Sequence, residues 1–307
     1  MDIRSLGYVG VEGPNPRDWL PFAVQVCGLT PSPLVPGQDP SETGPEAGTS
    51  KDGTVFFKMD GRQWRLAVHP EEKSGLRYLG FEIASPGAFE TALTELQGHG
   101  IAVTPGTPEE CVMRGVRRMA HFADPAGNRI ELFFSATSDR PFESPPGISS
   151  FVTGALGMGH VGMLVPDLEA GLHFYLDVLG FEESDYFEIG PGMAMHFLRC
   201  NARHHTVAVG RVGDFKALHH ILLEVQNIDD VGQVHDRATA ASIPISTQIG
   251  RHANDLMISF YMNSPFGFDI EIGCDGILVD EDWVPQKLIQ PDIWGHAGLS
   301  AEVDGDD

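Results

Sequence analysis

Residues 7–11 read Gly-Tyr-Val-Gly-Val, and residues 159–163 read Gly-His-Val-Gly-Met. Continued without a gap, this alignment also places Gly28 on Gly180. Glycines and apolar residues that match at one constant spacing indicate an internal repeat, because repeated structural units keep the residues that their scaffold needs. The sequence therefore predicts two similar halves.

Two further blocks support the repeat. Residues 76–83 (Leu-Arg-Tyr-Leu-Gly-Phe-Glu-Ile) match residues 218–225 (Leu-His-His-Ile-Leu-Leu-Glu-Val), and residues 125–132 match residues 265–272. Between the halves, a stretch rich in Pro, Ser and Gly at 140–150 is typical of a linker. We predict three segments along the chain: an N-terminal domain at 1–139, a C-terminal domain at 151–296 and an acidic tail at 297–307.

Each half divides again into two units. Residues 160–165 and 220–225 both begin with histidine and continue with apolar residues, and a helical pattern with aspartate near its start follows each. Short alternating runs separated by Gly, Asn and Pro then predict about three strands. The repeating unit is therefore one strand, one helix and three strands. The predicted fold class is α+β, with four βαβββ modules arranged as two similar domains.

The composition is that of a globular protein, with 42% hydrophobic and 21% charged residues. A formal net charge of -23 argues against nucleic acid and anionic membrane surfaces as partners, because like charges repel. The four cysteines contain no Cys-x-x-Cys pair, which suits a reducing compartment. We find no signal peptide pattern and no run of roughly 18 apolar residues. We therefore expect a cytoplasmic protein.

The two halves differ where the repeat predicts equivalent residues. The first half carries Tyr8 and Tyr78, and the second half carries His160 and His220 at the matching positions. A glutamate stands in the last predicted strand of both halves. Only the second half therefore combines two histidines with a carboxylate, and the first half is expected to hold no metal.

Two neutral imidazoles and the carboxylate of Glu271 form the ligand set typical of non-haem Fe(II), which leaves about three octahedral positions open. A net positive centre of this kind favours an anionic bidentate ligand such as a catecholate. A single histidine in a strand is more often a core or surface residue than a ligand. However, Glu271 stands between Ile270 and Ile272, and a carboxylate in such an apolar strand is rarely buried without a cation.

The segment that contains Glu271 carries a family resemblance. Residues 250–252 (Gly-Arg-His) and 260–271 (Phe-Tyr-Met-Asn-Ser-Pro-Phe-Gly-Phe-Asp-Ile-Glu) resemble the signature of the type I extradiol catechol dioxygenases of the vicinal-oxygen-chelate fold, especially the 2,3-dihydroxybiphenyl 1,2-dioxygenase group. The departure is Ser264, where the signature usually has another small or polar residue. Similar segments at 157–181, 200–206, 218–225 and 294–296 extend the resemblance over essentially the whole chain.

The resemblance implies extradiol cleavage of a catechol by O2 at Fe(II), which Mn(II) could replace. It implies the metal ligands His160, His220 and Glu271. It also implies that His205 is an acid–base residue beside the O2 site and that His252 and Tyr261 hydrogen-bond the substrate oxygens. Asn254 and Asp255 would line the pocket near His252. The family often forms homo-oligomers, so we expect one here.

The substrate pocket is predicted from apolar and small residues near these motifs. The candidates are Gly162, Phe187, Met193, Met195, Pro291 and Ile293, with Gly162 leaving room near the metal. Such a wall favours a bicyclic or aryl-substituted catechol such as 2,3-dihydroxybiphenyl. Strand alternation sends His219 and His220 to opposite faces, which leaves two roles open for His219, substrate contact or packing.

Two other functions fit parts of the pattern. A glyoxalase-like isomerase or epimerase also chelates vicinal oxygens on a metal, but it needs no histidine on the O2 side, so His205 and His252 argue against it. A non-enzymatic binding protein for aromatic compounds would need the pocket but neither the metal ligands nor the acid–base histidines.

Overall fold

The computed structural model describes residues 1–37 and 48–298. The predicted acidic tail therefore lies, from residue 299 onward, outside the described residues. Within the described part of the chain, none of the helices has both the length and the apolar character needed to cross a membrane.

The first half of the chain forms one eight-stranded sheet. Its spatial order is β2-β3-β4-β1-β5-β8-β7-β6, with an antiparallel β1–β5 pair at the centre. The strands are β1 (Ile3–Gly13), β2 (Thr30–Pro31), β3 (Val55–Lys58), β4 (Leu66–Pro70), β5 (Gly75–Ile83), β6 (Thr104–Pro105), β7 (Val116–Ala123) and β8 (Arg129–Ala136).

The second half forms a ten-stranded sheet with the order β17-β10-β11-β12-β9-β13-β16-β15-β14-β18, and its central antiparallel pair is β9–β13. The strands are β9 (Val161–Leu164), β10 (Glu182–Gly190), β11 (Met193–Arg199), β12 (Val207–Arg211), β13 (Ala217–Glu224), β14 (Ile245–His252), β15 (Ile258–Asn263), β16 (Asp269–Cys274), β17 (Gln286–Lys287) and β18 (Asp292–Trp294). The short β17 and β18 extend the two edges of the sheet beyond the repeat.

The helices complete four βαβββ modules, so the predicted fold class is confirmed. They are α1 (Trp19–Pro21), α2 (Pro86–Gly98), α3 (Pro108–Arg114), α4 (Leu168–His173) and α5 (Ile228–Ala240); α1 and α4 each run into a π-helical turn, Phe22–Val26 and Phe174–Val178. Side chains accept hydrogen bonds from backbone N–H groups where α2, α4 and α5 begin, at Ser85, Asp167 and Asn227. These caps satisfy N–H groups that the first helical turn leaves without partners.

One apolar core joins the two halves, because the helices and the outer faces of both sheets pack together. Trp19 from the first half contacts Phe266 and Phe268 of the second, with ring centroids 5.7 Å apart in both pairs. Phe81 likewise packs against Phe181 at 5.4 Å. The inner faces of the two sheets are thereby left to form two separate interiors.

The interior of the first sheet is filled with aromatic side chains around a buried carboxylate. Glu131 accepts hydrogen bonds from the Tyr8 hydroxyl and from Arg129, and the guanidinium of Arg114 binds both of its oxygens at 2.8 Å. The same guanidinium lies 3.8 Å from the centroid of the Tyr78 ring. An arginine therefore compensates the charge of the glutamate in the first half.

We expect the Arg114→Met substitution to lower the free energy of unfolding by about 3 kcal/mol, because removing one partner of a buried ion pair leaves the other charge undercompensated. Urea unfolding measures this loss. The double variant R114M/E131Q removes both charges and should recover most of the loss. A single variant within about 0.5 kcal/mol of the wild type would contradict the assigned role.

Candidate metal centre and active site

Three neighbouring strands bring His160, His220 and Glu271 together at the centre of the second sheet. His160 immediately precedes β9, His220 lies in β13 and Glu271 lies in β16, and β13 is hydrogen-bonded to both other strands. The backbone N–H of Leu222 donates to the carbonyl of His160 at 2.9 Å and fixes the start of β9 against β13. The positions that the repeat singled out are thus adjacent in space.

The potential ligand atoms of these side chains converge on one point. His160 Nε2 lies 2.9 Å from His220 Nε2, and Glu271 Oε2 lies 3.1 Å from the first nitrogen and 3.6 Å from the second. All three residues are buried. Two imidazole nitrogens and a carboxylate oxygen directed at a common position can share one divalent cation.

The carboxylate of Glu271 distinguishes this centre from its counterpart in the first half. Glu271 is fully buried, and neither oxygen has a donor in hydrogen-bonding geometry among the described residues. Glu131 is equally buried but receives two arginines and a tyrosine hydroxyl. A buried carboxylate without donors is costly unless a cation compensates it, so the residues present fit a bound metal ion.

The protonation states of the site agree with metal ligation. Burial and the neighbouring His219 and His160 rings hold the pKa of His220 well below its usual range. Burial opposes ionisation of Glu271, but the imidazoles of His160 and His252 hold its pKa well below its usual value. A neutral imidazole and an ionised carboxylate are the forms that bind a metal.

Gly162 makes room for the ring of His220 and not for substrate, which corrects its predicted role in the pocket. A Cβ atom at Gly162 would lie 2.3 Å from the His220 ring, because the two residues are paired across β9 and β13. The repeat shows the same constraint in the first half, where a Cβ at Gly10 would lie 2.2 Å from the Tyr78 ring. The matched glycines therefore admit the ring of the opposite strand.

The expected alternation of His219 and His220 is wrong. The pairing of β9 with β13 shifts register between Leu218 and His220, so His219 occupies a β-bulge, where strict alternation is lost. Both rings line the cavity, and His219 Nδ1 lies 2.7 Å from His220 Nδ1. A His220 ring that ligates through Nε2 would donate its Nδ1–H to His219, and such a bond fixes the orientation of a ligand.

His205 lies against the metal centre from the loop before β12. Its ring packs against the His160 ring with 3.9 Å between centroids and 31° between the ring planes, and it lines the cavity of the site. Burial, together with the nearby His160, holds the pKa of His205 well below its usual range. Its Nδ1 lies 3.1 Å from Nδ1 of His204 and 3.8 Å from a carboxylate oxygen of Asp255.

His252 and Tyr261 lie on the opposite side of Glu271. His252 Nε2 is 2.9 Å from the Tyr261 hydroxyl and 3.3 Å from Glu271 Oε1, and its Nδ1 donates to Asp292 at 2.8 Å. Burial opposes the charged form of His252, but Asp292 and Glu271 raise its pKa to about 10. Burial and the Glu271 charge raise the pKa of Tyr261, so its hydroxyl keeps its proton.

The cavity beside these residues measures about 750 Å³ and is mostly apolar. Of the predicted pocket residues, it includes Phe187, Met195, His219, Asn254 and Pro291. Three more apolar side chains of the wall are Leu164, Phe197 and Leu288.

Three predicted pocket residues lie elsewhere. Met193 begins β11 next to a register shift at Gly190, and it lines a separate groove against α4. Asp255 borders a small void behind His160, where its carboxylate accepts the N–H of Met257. Ile293 is half exposed and does not belong to the cavity wall.

Sequence reasoning missed the acidic residues behind the histidines. Asp292 accepts from His252 and, at 2.5 Å, from Nδ1 of His296, and Asp185 contacts His204. The i,i+4 spacing of Asp292 and His296 is a weak sequence signal for the contact between these two residues. Nothing in the sequence connects Asp185 with His204, because β10 and the loop before β12 meet only in the folded sheet.

The Glyoxalase/Bleomycin resistance protein/Dioxygenase superfamily matches residues 157–272. The chain is 38% identical over 305 residues to the biphenyl-2,3-diol 1,2-dioxygenase of Paraburkholderia xenovorans (strain LB400), covering 97% of each. It is 36% identical over 308 residues to the iron-dependent extradiol dioxygenase of Rhodococcus jostii (strain RHA1), covering 96% of this chain and 97% of the relative.

A solved structure of a halotolerant catechol dioxygenase, BphC, superposes with a TM-score of 0.89 at 35% identity. The match covers 97% of this chain and 95% of that one. Likeness of this extent includes both halves of the chain. This chain belongs to the extradiol dioxygenase family of the Glyoxalase/Bleomycin resistance protein/Dioxygenase superfamily.

Proposed function

We propose that this protein opens the ring of a catechol-type aromatic compound by extradiol cleavage with O2, using Fe(II). The observation that carries the proposal is the convergence of His160, His220 and the fully buried Glu271 at the edge of an apolar cavity. The similarity to a biphenyl-2,3-diol 1,2-dioxygenase and to an iron-dependent extradiol dioxygenase supports this reaction class. Mn(II) suits the same ligands.

The three ligands occupy one side of the centre and leave the cavity side for substrate. When bound, a ferrous ion would hold the two catechol oxygens and O2 next to one another and allow electron transfer from the catechol to O2. The protein holds two neutral imidazoles and a single carboxylate there, so the loaded site keeps a net positive charge that favours a deprotonated catechol. The apolar walls exclude water from the reacting ring.

The surrounding histidines and tyrosine are placed to handle protons. His205, packed against His160, is positioned to take a proton from a catechol hydroxyl and to return it later. His252 and Tyr261, on the Glu271 side, are positioned to hydrogen-bond a substrate oxygen. Two proton-handling groups on two sides of the centre are more than a binding protein needs.

The shape of the cavity favours a substituted catechol. Its apolar lining includes Phe187, Phe197, Met195 and Pro291. A second aromatic ring would bury apolar surface there, at about 25 cal/mol per Å². We therefore propose an aryl-substituted or bicyclic substrate such as 2,3-dihydroxybiphenyl.

We propose that the two halves of the chain have different roles. The segment 1–139 would act as a non-catalytic partner because Arg114 neutralises its glutamate, and 151–296 would be the catalytic domain. We also propose a cytoplasmic location, which suits four free cysteines. A homo-oligomer would cover exposed apolar side chains such as Val284 and Ile289.

Ring cleavage is tested by loading the protein with Fe(II) without air, then adding 2,3-dihydroxybiphenyl and air. We expect a yellow ring-opened product from the wild type, a loss of at least about 10³-fold in His220→Ala, which lacks a ligand, and wild-type activity in His173→Ala, whose exposed ring lies away from the site. Unsubstituted catechol should give a lower kcat/KM. An iron-loaded protein that cleaves no catechol would favour an isomerase or a binding protein instead.

Metal binding is tested independently of turnover. Fe(II) at about 100 times its Kd should stabilise the wild type by about 2.7 kcal/mol, because the ion binds only the folded site. In Glu271→Gln the site loses its negative ligand, so the metal-induced rise in Tm should largely disappear. Glu188→Gln, a change of an exposed carboxylate, serves as the matched control. An equal rise in Tm for E271Q and the wild type would exclude Glu271 as a ligand.

A further inference from the structure

A chain of hydrogen-bonding groups runs from the cavity into the protein behind His205. His205 Nδ1 lies 3.1 Å from His204 Nδ1, and His204 Nε2 lies 2.9 Å from Asp185 Oδ2. All three side chains are buried, between 1% and 3% exposed. The metal ligands take no part in these two contacts.

Asp185 is fixed from the far side. Its second oxygen, Oδ1, accepts the backbone N–H of Gln286 at 2.7 Å, where β17 pairs with β10. The carbonyl of His204 accepts the hydroxyl of Ser184 at 2.5 Å, and the indole of Trp283 packs edge-on against the His204 ring. Neither the carboxylate nor the ring can therefore rotate freely.

The donor and acceptor capacities of these groups determine where the protons lie. An ionised carboxylate only accepts, so His204 Nε2 must carry the hydrogen that it shares with Asp185. In a neutral His204 ring, Nδ1 is then an acceptor, and the facing His205 Nδ1 must be the donor. This leaves Nε2 of a neutral His205 without a proton, and no described residue hydrogen-bonds to that atom.

We propose that Asp185 and His204 are positioning residues that fix His205 in the tautomer with its proton on Nδ1, so that Nε2 is presented to the cavity as a proton acceptor. With both rings neutral, the tautomer itself follows from the hydrogen-bond geometry. Its catalytic consequence rests on the proposed function, in which His205 takes a proton from the substrate. A carboxylate that sets the tautomer of an acid–base histidine is a known device in other enzymes, and here a second histidine stands between the two.

One other group favours the same tautomer. Asp255 Oδ2 lies 3.8 Å from His205 Nδ1, too far for a hydrogen bond but close enough to attract an N–H. The effects of Asp185 and Asp255 on His205 can be separated by mutation, because Asp185 acts only through His204.

The Asp185→Asn substitution tests the proposal sharply because the surroundings dictate how the amide must lie. The N–H of Gln286 needs an acceptor and therefore takes the amide oxygen, which turns the NH2 group toward His204 Nε2. His204 Nε2 then has to accept, its proton moves to Nδ1, and His205 Nδ1 becomes the acceptor. We expect the proton of His205 to move to Nε2, where it blocks the base.

The tautomer is measured by nitrogen NMR of the full chain with labelled histidine, both without metal and loaded with diamagnetic Zn(II). We expect a protonated Nδ1 and a bare Nε2 for His205 in the wild type, and the reverse in D185N. Asp230→Asn is the matched control, since this buried aspartate lies in the first turn of α5, away from the site, and its carboxylate accepts the backbone N–H of Ser149. The proposal would be overturned if His205 of the wild type carried its proton on Nε2, or if D185N left the tautomer unchanged. In the second case Asp255 would be the residue that sets the tautomer.

A double-mutant cycle measures the consequence for turnover. D185N should lower kcat by about 10²-fold, the usual contribution of a general base, with a much smaller change in KM. On the His205→Asn background, the same substitution should lower kcat by less than about 2-fold, because no imidazole is left to position. Equal losses on both backgrounds would show a general structural effect and refute the proposal.

Failure of the proposed function can be distinguished from failure of the proposed tautomer. If the iron-loaded wild type cleaves no catechol, the proposed function fails, whereas the NMR result for His205 still decides the tautomer.

Discussion

The arrangement of both halves depends on one physical constraint, which is that a fully buried carboxylate needs a cation. Glu131 and Glu271 are both excluded from solvent at equivalent places in their sheets. In the first half the Arg114 guanidinium supplies the charge, and tyrosines fill the space beside it. In the second half histidines replace the tyrosines, no described residue donates to Glu271 in hydrogen-bonding geometry, and the ligand set suits a divalent ion. The same scaffold thus holds an arginine beside the carboxylate in one half and a candidate metal site in the other.

The central antiparallel pair of strands makes this exchange possible. Gly10 and Gly162 leave the space into which Tyr78 and His220 project, so the opposite strand can carry either a phenol or an imidazole without moving the backbone. The bulge at His219 adds a second ring on the same face. The candidate ligands are therefore held by strands in the middle of a sheet, each with a hydrogen-bonded strand on both sides, and this rigidity suits a preorganised site.

Around the candidate metal centre, the C-terminal strands connect the cavity histidines to two aspartates, one buried and one partly buried. β17 anchors Asp185, which lies behind His204 and His205, and β18 contributes Asp292, which accepts from His252. The same segment closes the cavity through Leu288 and Pro291. One stretch of chain, which lies outside the fourfold repeat, therefore both closes the cavity and contacts the histidines that we propose to handle protons.

The sequence by itself determined the four-module α+β fold, because a repeat preserves the glycines, apolar residues and turns that its scaffold requires. It also singled out His160, His220 and Glu271, because equivalent positions that differ in chemistry stand out against a shared scaffold. Only the tertiary structure decided that Gly162 serves His220, that a bulge turns His219 inward, that Met193 lies outside the pocket, and that Asp185 and Asp292 stand behind the histidines. The reason is physical: bulges and contacts between distant strands arise from register and from side-chain packing across the sheet, and neither leaves a periodic trace along the chain.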